Sequence, residues 1–142
     1  MDIARELKLP IAIHSRDAAQ DTIQIMRASR AEEIGGVIHC YSYSKESARD
    51  FLNMGFYFGI GGVVTFKNAK KLKEAVAYIP LSNIVLETDA PYLTPEPFRG
   101  KRNDSSKLTY VAQAIADIKQ IPVDEVYAET WKNAHQMYKI QK

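Results

Sequence analysis

The chain has 142 residues, 46% of them hydrophobic, and a net charge of +2. This length suits one domain with a sizeable core, and so small a charge gives no argument of its own for binding nucleic acid. The single cysteine, Cys40, excludes an internal disulfide and is typical of a reducing compartment. The first residues lack a signal peptide's basic start and apolar stretch, and no apolar run is long enough to span a bilayer. We therefore expect a cytoplasmic protein with no membrane partner, folded as one domain over residues 1–142.

Strand-like and helical patterns alternate along the chain. Residues 1–8 resemble the last turns of an amphipathic helix. Four short apolar runs are typical of strands buried in a parallel sheet, at residues 10–14, 36–40, 56–60 and 84–89. Helical patterns follow them at about residues 18–33, 45–54, 69–78 and 106–119, and a closing helix near 123–139 carries an apolar stripe of Val123, Val126, Tyr127, Thr130, Trp131, Ala134 and Tyr138. The alternation predicts an α/β fold in which helices cover a parallel sheet.

Three of the predicted strands end in a side chain that can bind a metal ion. These side chains are His14, His39 and Asp89. Parallel strands joined by helices place their carboxyl ends at one edge of the sheet, so we expect the three groups to converge there. A lone histidine at a strand end is more often simply hydrogen-bonded, but two at matching ends favour a metal. Imidazole combined with carboxylate suits zinc, manganese, iron or nickel better than calcium.

Glu87 shares a strand face with Asp89, because side chains two residues apart point the same way. It lies one layer deeper in the predicted sheet. Three roles fit it: a metal ligand, an acid that orients a histidine, or the partner of a buried cation. We favour a supporting role beside the ligands.

Basic residues near the predicted ligands suggest phosphate contacts. Arg16 follows the first ligand, and it is either a surface arginine or a group that reaches a phosphate. Arg99, Lys101 and Arg102 gather in a loop beyond the strand of Asp89. We expect this loop to overhang the same edge of the sheet, so substrate binding is the favoured role for its cations.

Three other features have plainer interpretations. Cys40 is expected to be a small core residue that faces the helices. His135 lies beside the stripe of the last helix and is expected to be structural. The pair Gly61 and Gly62 either lets the backbone approach a substrate or makes a simple turn.

Four segments, at residues 10–18, 36–42, 86–93 and 99–103, closely resemble TatD-type metal-dependent hydrolases, as does a late segment at 130–134. The resemblance implies a TIM barrel of the amidohydrolase type with two divalent metal ions (zinc, manganese or magnesium), and deoxyribonuclease activity. It matches His14 and His39 to the family's ligands on strands five and six, and Asp89 to the ligand on strand eight. The family's His-x-His pair on strand one and its Glu on strand four have no counterpart here. The resemblance therefore implies parallel (βα) units of a TIM barrel, strands five to eight of eight, without the N-terminal half.

The function implied is hydrolysis of phosphodiester bonds in DNA by metal-activated water, impaired in a chain that lacks half of the barrel. Asp89 would bind metal and accept the proton of the water. One rival is cleavage of an amide or a small phosphoester at the same site. The other rival is a catalytically inactive half barrel that associates with itself, as a homodimer, or with its missing half, because unpaired strand edges and an apolar inner face favour association.

Overall fold

A computed structural model describes residues 1–140 of the chain. Its four strands, all parallel, form one sheet in the order β1-β2-β3-β4. They are β1 (Ile11–His14), β2 (Gly36–His39), β3 (Tyr57–Ile60) and β4 (Ile84–Leu86). Each strand lies beside the next one in sequence because a helical connection returns the chain to the same edge, which is the arrangement of a TIM-barrel wall.

Six α-helices accompany the sheet within the described residues. They are α1 (Asp2–Glu6), α2 (Ala19–Ala28), α3 (Lys45–Asn53), α4 (Lys70–Tyr78), α5 (Leu108–Lys119) and α6 (Val123–Met137). The helix predicted at 18–33 is in fact α2 followed by a separate 3₁₀ turn at Ala31–Glu33. The break lies at Arg30, whose φ of 48° is left-handed and cannot continue a right-handed helix.

The main core lies between the sheet and α2 to α6. Strand side chains on this side, such as Ile38, Phe58 and Ile84, pack against helix side chains such as Phe51 and Ile115, and all five are buried. These contacts remove branched and aromatic side chains from water, which is the main stabilising contribution to the fold. None of the helices in the described part of the chain has the length and apolar character needed to cross a membrane.

The last helix is rotated relative to the predicted stripe. Its buried residues are Val126, Thr130, Asn133 and Met137, whereas Trp131 is 52% exposed and Tyr138 58% exposed. Asn133 explains the rotation, because its side-chain nitrogen donates hydrogen bonds to the carbonyl oxygens of Leu81 and Ile84, each at 2.8 Å. A polar residue therefore lies at the centre of the buried face, where hydropathy alone predicts an exposed position.

The inner face of the sheet is partly covered. Val37 and Val85 are buried there against Met137 at the end of α6, and Tyr57 and Ala134 pack around them. The expectation of an apolar inner face left open to a partner is therefore corrected in part, because the chain's own last helix shields this part of the face from water.

Candidate active site

The two strand-end histidines lie side by side. In the ladder between β1 and β2, His14 pairs with His39, and their ring centroids are 6.0 Å apart. Neighbouring parallel strands place paired residues on the same face, so the register alone brings both imidazoles to the carboxyl edge of the sheet.

His39 lies between two carboxylates. Its Nδ1 atom is 2.9 Å from Oε2 of Glu87, and its Nε2 atom is 3.6 Å from Oδ1 of Asp89. With Glu87 ionised, Nδ1–H donates to it, and Nε2 keeps its lone pair on the side of Asp89. In that tautomer the nitrogen without a proton is the one nearer to the second acid.

β4 is three residues shorter than the predicted strand at 84–89, and it ends just before Glu87 and Asp89, whose carboxylates lie beside His39. Glu87 still donates its N–H to the carbonyl oxygen of Ile60, at 3.1 Å, but the ladder ends there. The two acids share a side of the sheet, and Glu87 is the deeper one, with 16% of its side chain exposed against 41% for Asp89.

The Glu87 carboxylate is fixed by two hydrogen bonds and by close packing against Gly59. Besides His39, it accepts the backbone N–H of Cys40 at 2.5 Å. Gly59 on β3 makes room for the carboxylate, because a Cβ atom there would lie 2.0 Å from Oε2 of Glu87. Burial raises the pKa of Glu87, while the hydrogen bond and charge of His39 act in the opposite direction.

A cavity of about 410 Å³ opens beside these groups. Its lining includes two of the three predicted ligands, His14 and Asp89, together with Arg16. The rest of the wall comes from Ser15, Cys40, Ser42, Val63, Tyr92 and Leu93. Arg16 is exposed at this cavity, so its guanidinium is available to an anion bound there.

The basic loop lies next to this cavity rather than in it. Arg99, Lys101 and Arg102 line a second cavity of about 480 Å³, together with Phe66, Gly100 and residues 91–94. Tyr92 and Leu93 belong to both linings. The cations are therefore separated from His14 and Asp89 by the wall that residues 92 and 93 form.

Cys40 differs from its predicted place in the core. It has a left-handed φ of 50° and lines the cavity beside His14 and Asp89. Burial, followed by the charges of Glu87 and Asp89, raises the pKa of its thiol to about 11, so the thiol is protonated at neutral pH.

His135 and Gly62 have structural roles in the folded chain. The ring of His135 lies against that of Trp131 with a centroid distance of 3.7 Å, and its Nδ1 is 3.0 Å from the carbonyl oxygen of Trp131, in keeping with a structural role. Gly62 serves packing, because a Cβ atom there would lie 2.1 Å from the carbonyl oxygen of Leu93.

The donor set fits a divalent metal ion in its chemistry but supplies only part of a coordination shell. Two imidazoles and a carboxylate oxygen are common ligands of zinc and manganese. Among residues 1–140, however, no three His, Cys, Asp or Glu side chains come together as a complete metal-binding cluster. His39 and Asp89 are the pair whose free donor atoms face each other.

Sequence reasoning missed three residues of this region: Gly59, Tyr92 and Asn103. A glycine inside an otherwise apolar strand signals a close approach, which here is that of Glu87. Tyr92 and Asn103 lie inside the segments 86–93 and 99–103 that resemble the hydrolase family, and their positions depend on contacts that only the folded loop creates.

The family model described as "TatD related DNase" matches residues 1–139 of the chain. Among curated proteins, the uncharacterized metal-dependent hydrolase YabD of Bacillus subtilis is 48% identical over 97% of this chain and 54% of its own length. The uncharacterized metal-dependent hydrolase YcfH of Escherichia coli K12 is 40% identical over 99% of this chain and 53% of its own length. The chain thus spans about half the length of the curated relatives it matches.

Solved structures agree with the fold. The crystal structure of YJJV, a TatD homologue from Escherichia coli K12, superposes with a TM-score of 0.91 at 26% sequence identity. The match covers 99% of our protein and 54% of the YJJV chain. A TatD-family hydrolase from Entamoeba histolytica has a TM-score of 0.83 at 22% identity, which is a likeness in fold alone.

These comparisons correct the fold prediction a second time. The resemblance implies strands five to eight of an eight-stranded barrel, a half barrel. One family model instead matches nearly the whole chain, residues 1–139, and the relatives align with 97–99% of it. The fold is TIM-barrel-like with a parallel sheet, and the half-barrel assignment is wrong.

Proposed function

Because the chain belongs to the TatD-related DNase family, we propose that its site hydrolyses phosphodiester bonds in DNA with the help of divalent metal ions. The observation that supports this most is the position of His39, with Glu87 at one ring nitrogen and Asp89 at the other. Metal-binding histidines commonly donate the N–H of their other ring nitrogen to a carboxylate, and here the remaining nitrogen has a second carboxylate nearby that can share a metal site.

We propose two metal ions, either zinc, manganese or magnesium, with His14 and His39 as ligands of one and Asp89 as a ligand of the other. A metal ion bound there supplies Lewis acidity to the phosphodiester and lowers the pKa of a water molecule. Glu87 keeps Nδ1 of His39 protonated, so that Nε2 remains a donor to the metal. Asp89, more exposed than Glu87, has an oxygen available to accept the proton of the attacking water.

Four cations are proposed to bind the substrate. Arg16 shares the cavity of His14 and Asp89, which suits contact with the scissile phosphate. Arg99, Lys101 and Arg102 line the adjoining cavity, which suits a phosphate further along a polymer. A run of cationic contacts beyond the ligands favours a nucleic acid over the rival substrates, a small phosphoester or an amide.

The test is a panel of substrates assayed with Mn²⁺, Zn²⁺ or Mg²⁺: a DNA oligonucleotide, bis(p-nitrophenyl) phosphate, a phosphomonoester and an amide. We expect metal-dependent cleavage of both diesters that His14→Ala and Asp89→Asn each abolish. The matched control is His135→Ala, which removes a histidine of α6 that lies against Trp131. Cleavage of the amide or monoester alone would overturn the proposal.

The inactive alternative makes a different prediction for metal binding. Calorimetric titration of the chain with Zn²⁺ or Mn²⁺ should show binding that His14→Ala and Asp89→Ala weaken. No measurable affinity, or affinity that neither variant changes, would instead support a chain without a catalytic role. Self-association as a homodimer and a cytoplasmic location stay predictions; light scattering during size-exclusion chromatography tests the first.

A further inference from the structure

Tyr92 stands between the two cavities. It lines both the cavity of His14 and Asp89, about 410 Å³, and the cavity of Arg99, Lys101 and Arg102, about 480 Å³. Leu93 lines both cavities as well, so a ligand long enough to occupy both passes over these two residues, of which Tyr92 is the aromatic one. A single small phosphoester has no need to do so.

The backbone around Tyr92 is held firmly. Its N–H donates to the carbonyl oxygen of Asp89 at 2.7 Å. Asn103, which is only 2% exposed, donates its side-chain nitrogen to the carbonyl oxygen of Tyr92 at 2.8 Å and its own N–H to that of Pro91 at 3.0 Å. A buried amide thus fixes the place from which the Tyr92 side chain projects.

The side chain itself is left uncovered, in contrast to its backbone. Tyr92 is 70% exposed. Among the ring contacts and side-chain hydrogen bonds of residues 1–140, none involves its ring or its hydroxyl. A scattered exposed aromatic needs no explanation, but this one is fixed at the boundary of two cavities and presents a free π-face there.

Two cations of the cavity beyond Tyr92 lie against aromatic rings, of which Phe66 lines the cavity and Phe98 does not. The guanidinium of Arg99 lies 4.4 Å from the centroid of Phe66, and the ammonium of Lys101 lies 5.8 Å from the centroid of Phe98. A positively charged groove that also carries aromatic side chains is the combination that binds the phosphates and bases of a nucleic acid strand.

We propose that Tyr92 is a stacking platform for the nucleobase next to the scissile phosphodiester, with Arg99, Lys101 and Arg102 binding the phosphate on the far side of that base. This inference rests on the proposed function for its scissile bond. It adds a base contact, and with it a requirement for a nucleotide substrate, to a site whose other groups act on phosphate alone.

The test measures binding without catalysis. A short fluorescein-labelled DNA oligonucleotide is titrated with the chain in EDTA and followed by fluorescence anisotropy, beside an oligonucleotide with the same phosphates but abasic tetrahydrofuran residues. We expect Tyr92→Ala to weaken binding of the base-containing strand by about tenfold or more, the effect of one base–aromatic stack. Binding of the abasic strand should be unchanged, and Tyr92→Phe should bind both strands like the wild type.

Two variants serve as controls. Lys101→Ala should weaken binding of both oligonucleotides equally, because it removes a phosphate contact. Tyr78→Ala removes an exposed tyrosine from α4 and should change neither. Equal weakening of both strands by Tyr92→Ala, or no weakening of either, would overturn the inference.

The outcome is separable from that of the proposed function. Hydrolysis of bis(p-nitrophenyl) phosphate, which carries no base, tests the metal chemistry without Tyr92. Failure of that hydrolysis would defeat the proposed function, while the anisotropy in EDTA would still decide whether Tyr92 binds a base.

Discussion

His39 illustrates at the scale of single residues how a strand end becomes a chemical site. Its ring is hydrogen-bonded to Glu87. The Glu87 carboxylate accepts the N–H of Cys40 and fits where Gly59 has no side chain. Each of these contacts restricts the next, so the free nitrogen of His39 has one direction available, toward Asp89. The pattern of residues predicts a supporting role for Glu87, but not which of the two histidines it contacts.

Replacing Glu87 with Gln should weaken metal binding. The amide cannot accept the Nδ1 proton with the strength of a carboxylate, so the ring loses its orientation and part of its basicity. We expect a loss of about 10- to 100-fold in affinity for Zn²⁺ or Mn²⁺, measured by calorimetric titration. The control is Glu74→Gln, which changes an exposed acid on α4 and should leave the affinity unaltered. Wild-type affinity in Glu87→Gln would show that His39 is oriented by something else.

Gly59→Ala should displace the Glu87 carboxylate, because the new methyl group would lie 2.0 Å from its Oε2 atom. We expect the free energy of unfolding to fall by about 1–3 kcal/mol, as for other overpacked sites, in urea denaturation. Gly61→Ala is the matched control, since its nearest neighbour, the carbonyl oxygen of Glu87, is at 3.4 Å, an ordinary contact. Similar losses in the two variants would argue against a steric requirement specific to Gly59.

At the scale of elements, the boundaries follow local hydrogen bonds that hydropathy does not show. A 3₁₀ turn at Ser105–Lys107 comes directly before α5, which starts at Leu108. Asp104 caps this turn by accepting the N–H of Ser106 at 3.0 Å and by pairing with the Lys107 ammonium. The sequence pattern predicts a helix from about residue 106, which merges the turn with the helix.

The Asp104 carboxyl should titrate at an unusually low pH. Its hydrogen bonds from Lys107 and Ser106 lower its pKa from 3.8 to about 2. Because the pKa is depressed in the folded state, its contribution to stability is present above pH 3.8 and is lost as the pH falls toward 2. NMR of the side-chain carboxyl should find it ionised midway between these values, and Lys107→Ala should move the midpoint upward. An unchanged midpoint in that variant would contradict the assigned cause.

At the scale of the whole molecule, α6 contacts the sheet both at the backbone of β4 and on the inner face. Asn133 binds the backbone before and at the start of β4, and Met137 covers Val37 and Val85 on the inner face. The helix thereby contacts the strand whose end carries Glu87 and Asp89. Its placement supports the edge of the sheet that carries the candidate site, as well as the core.

Asn133→Ala should destabilise the whole fold. The variant leaves the buried carbonyl oxygens of Leu81 and Ile84 without their donor, so we expect the free energy of unfolding to fall by about 2–4 kcal/mol. Lys132→Ala, one residue away on the exposed side of α6, should change it by less than about 0.5 kcal/mol. Chemical denaturation followed by circular dichroism measures both, and a small effect of Asn133→Ala would mean that apolar contacts alone hold the helix.

Much of this protein can be derived from the order of its residues, because short-range periodicity reports secondary structure directly. The strand runs, the alternation with helices, and the appearance of His14, His39 and Asp89 at strand ends are all local patterns, and parallel strands bring such ends to one edge. The folded chain alone decided the rest: the rotation of α6 about Asn133, the cover that Met137 gives the inner face, the place of Cys40 at the cavity, and the wall between the two cavities. Each depends on contacts between residues far apart in sequence, and hydropathy carries no information about which distant partner a side chain will meet.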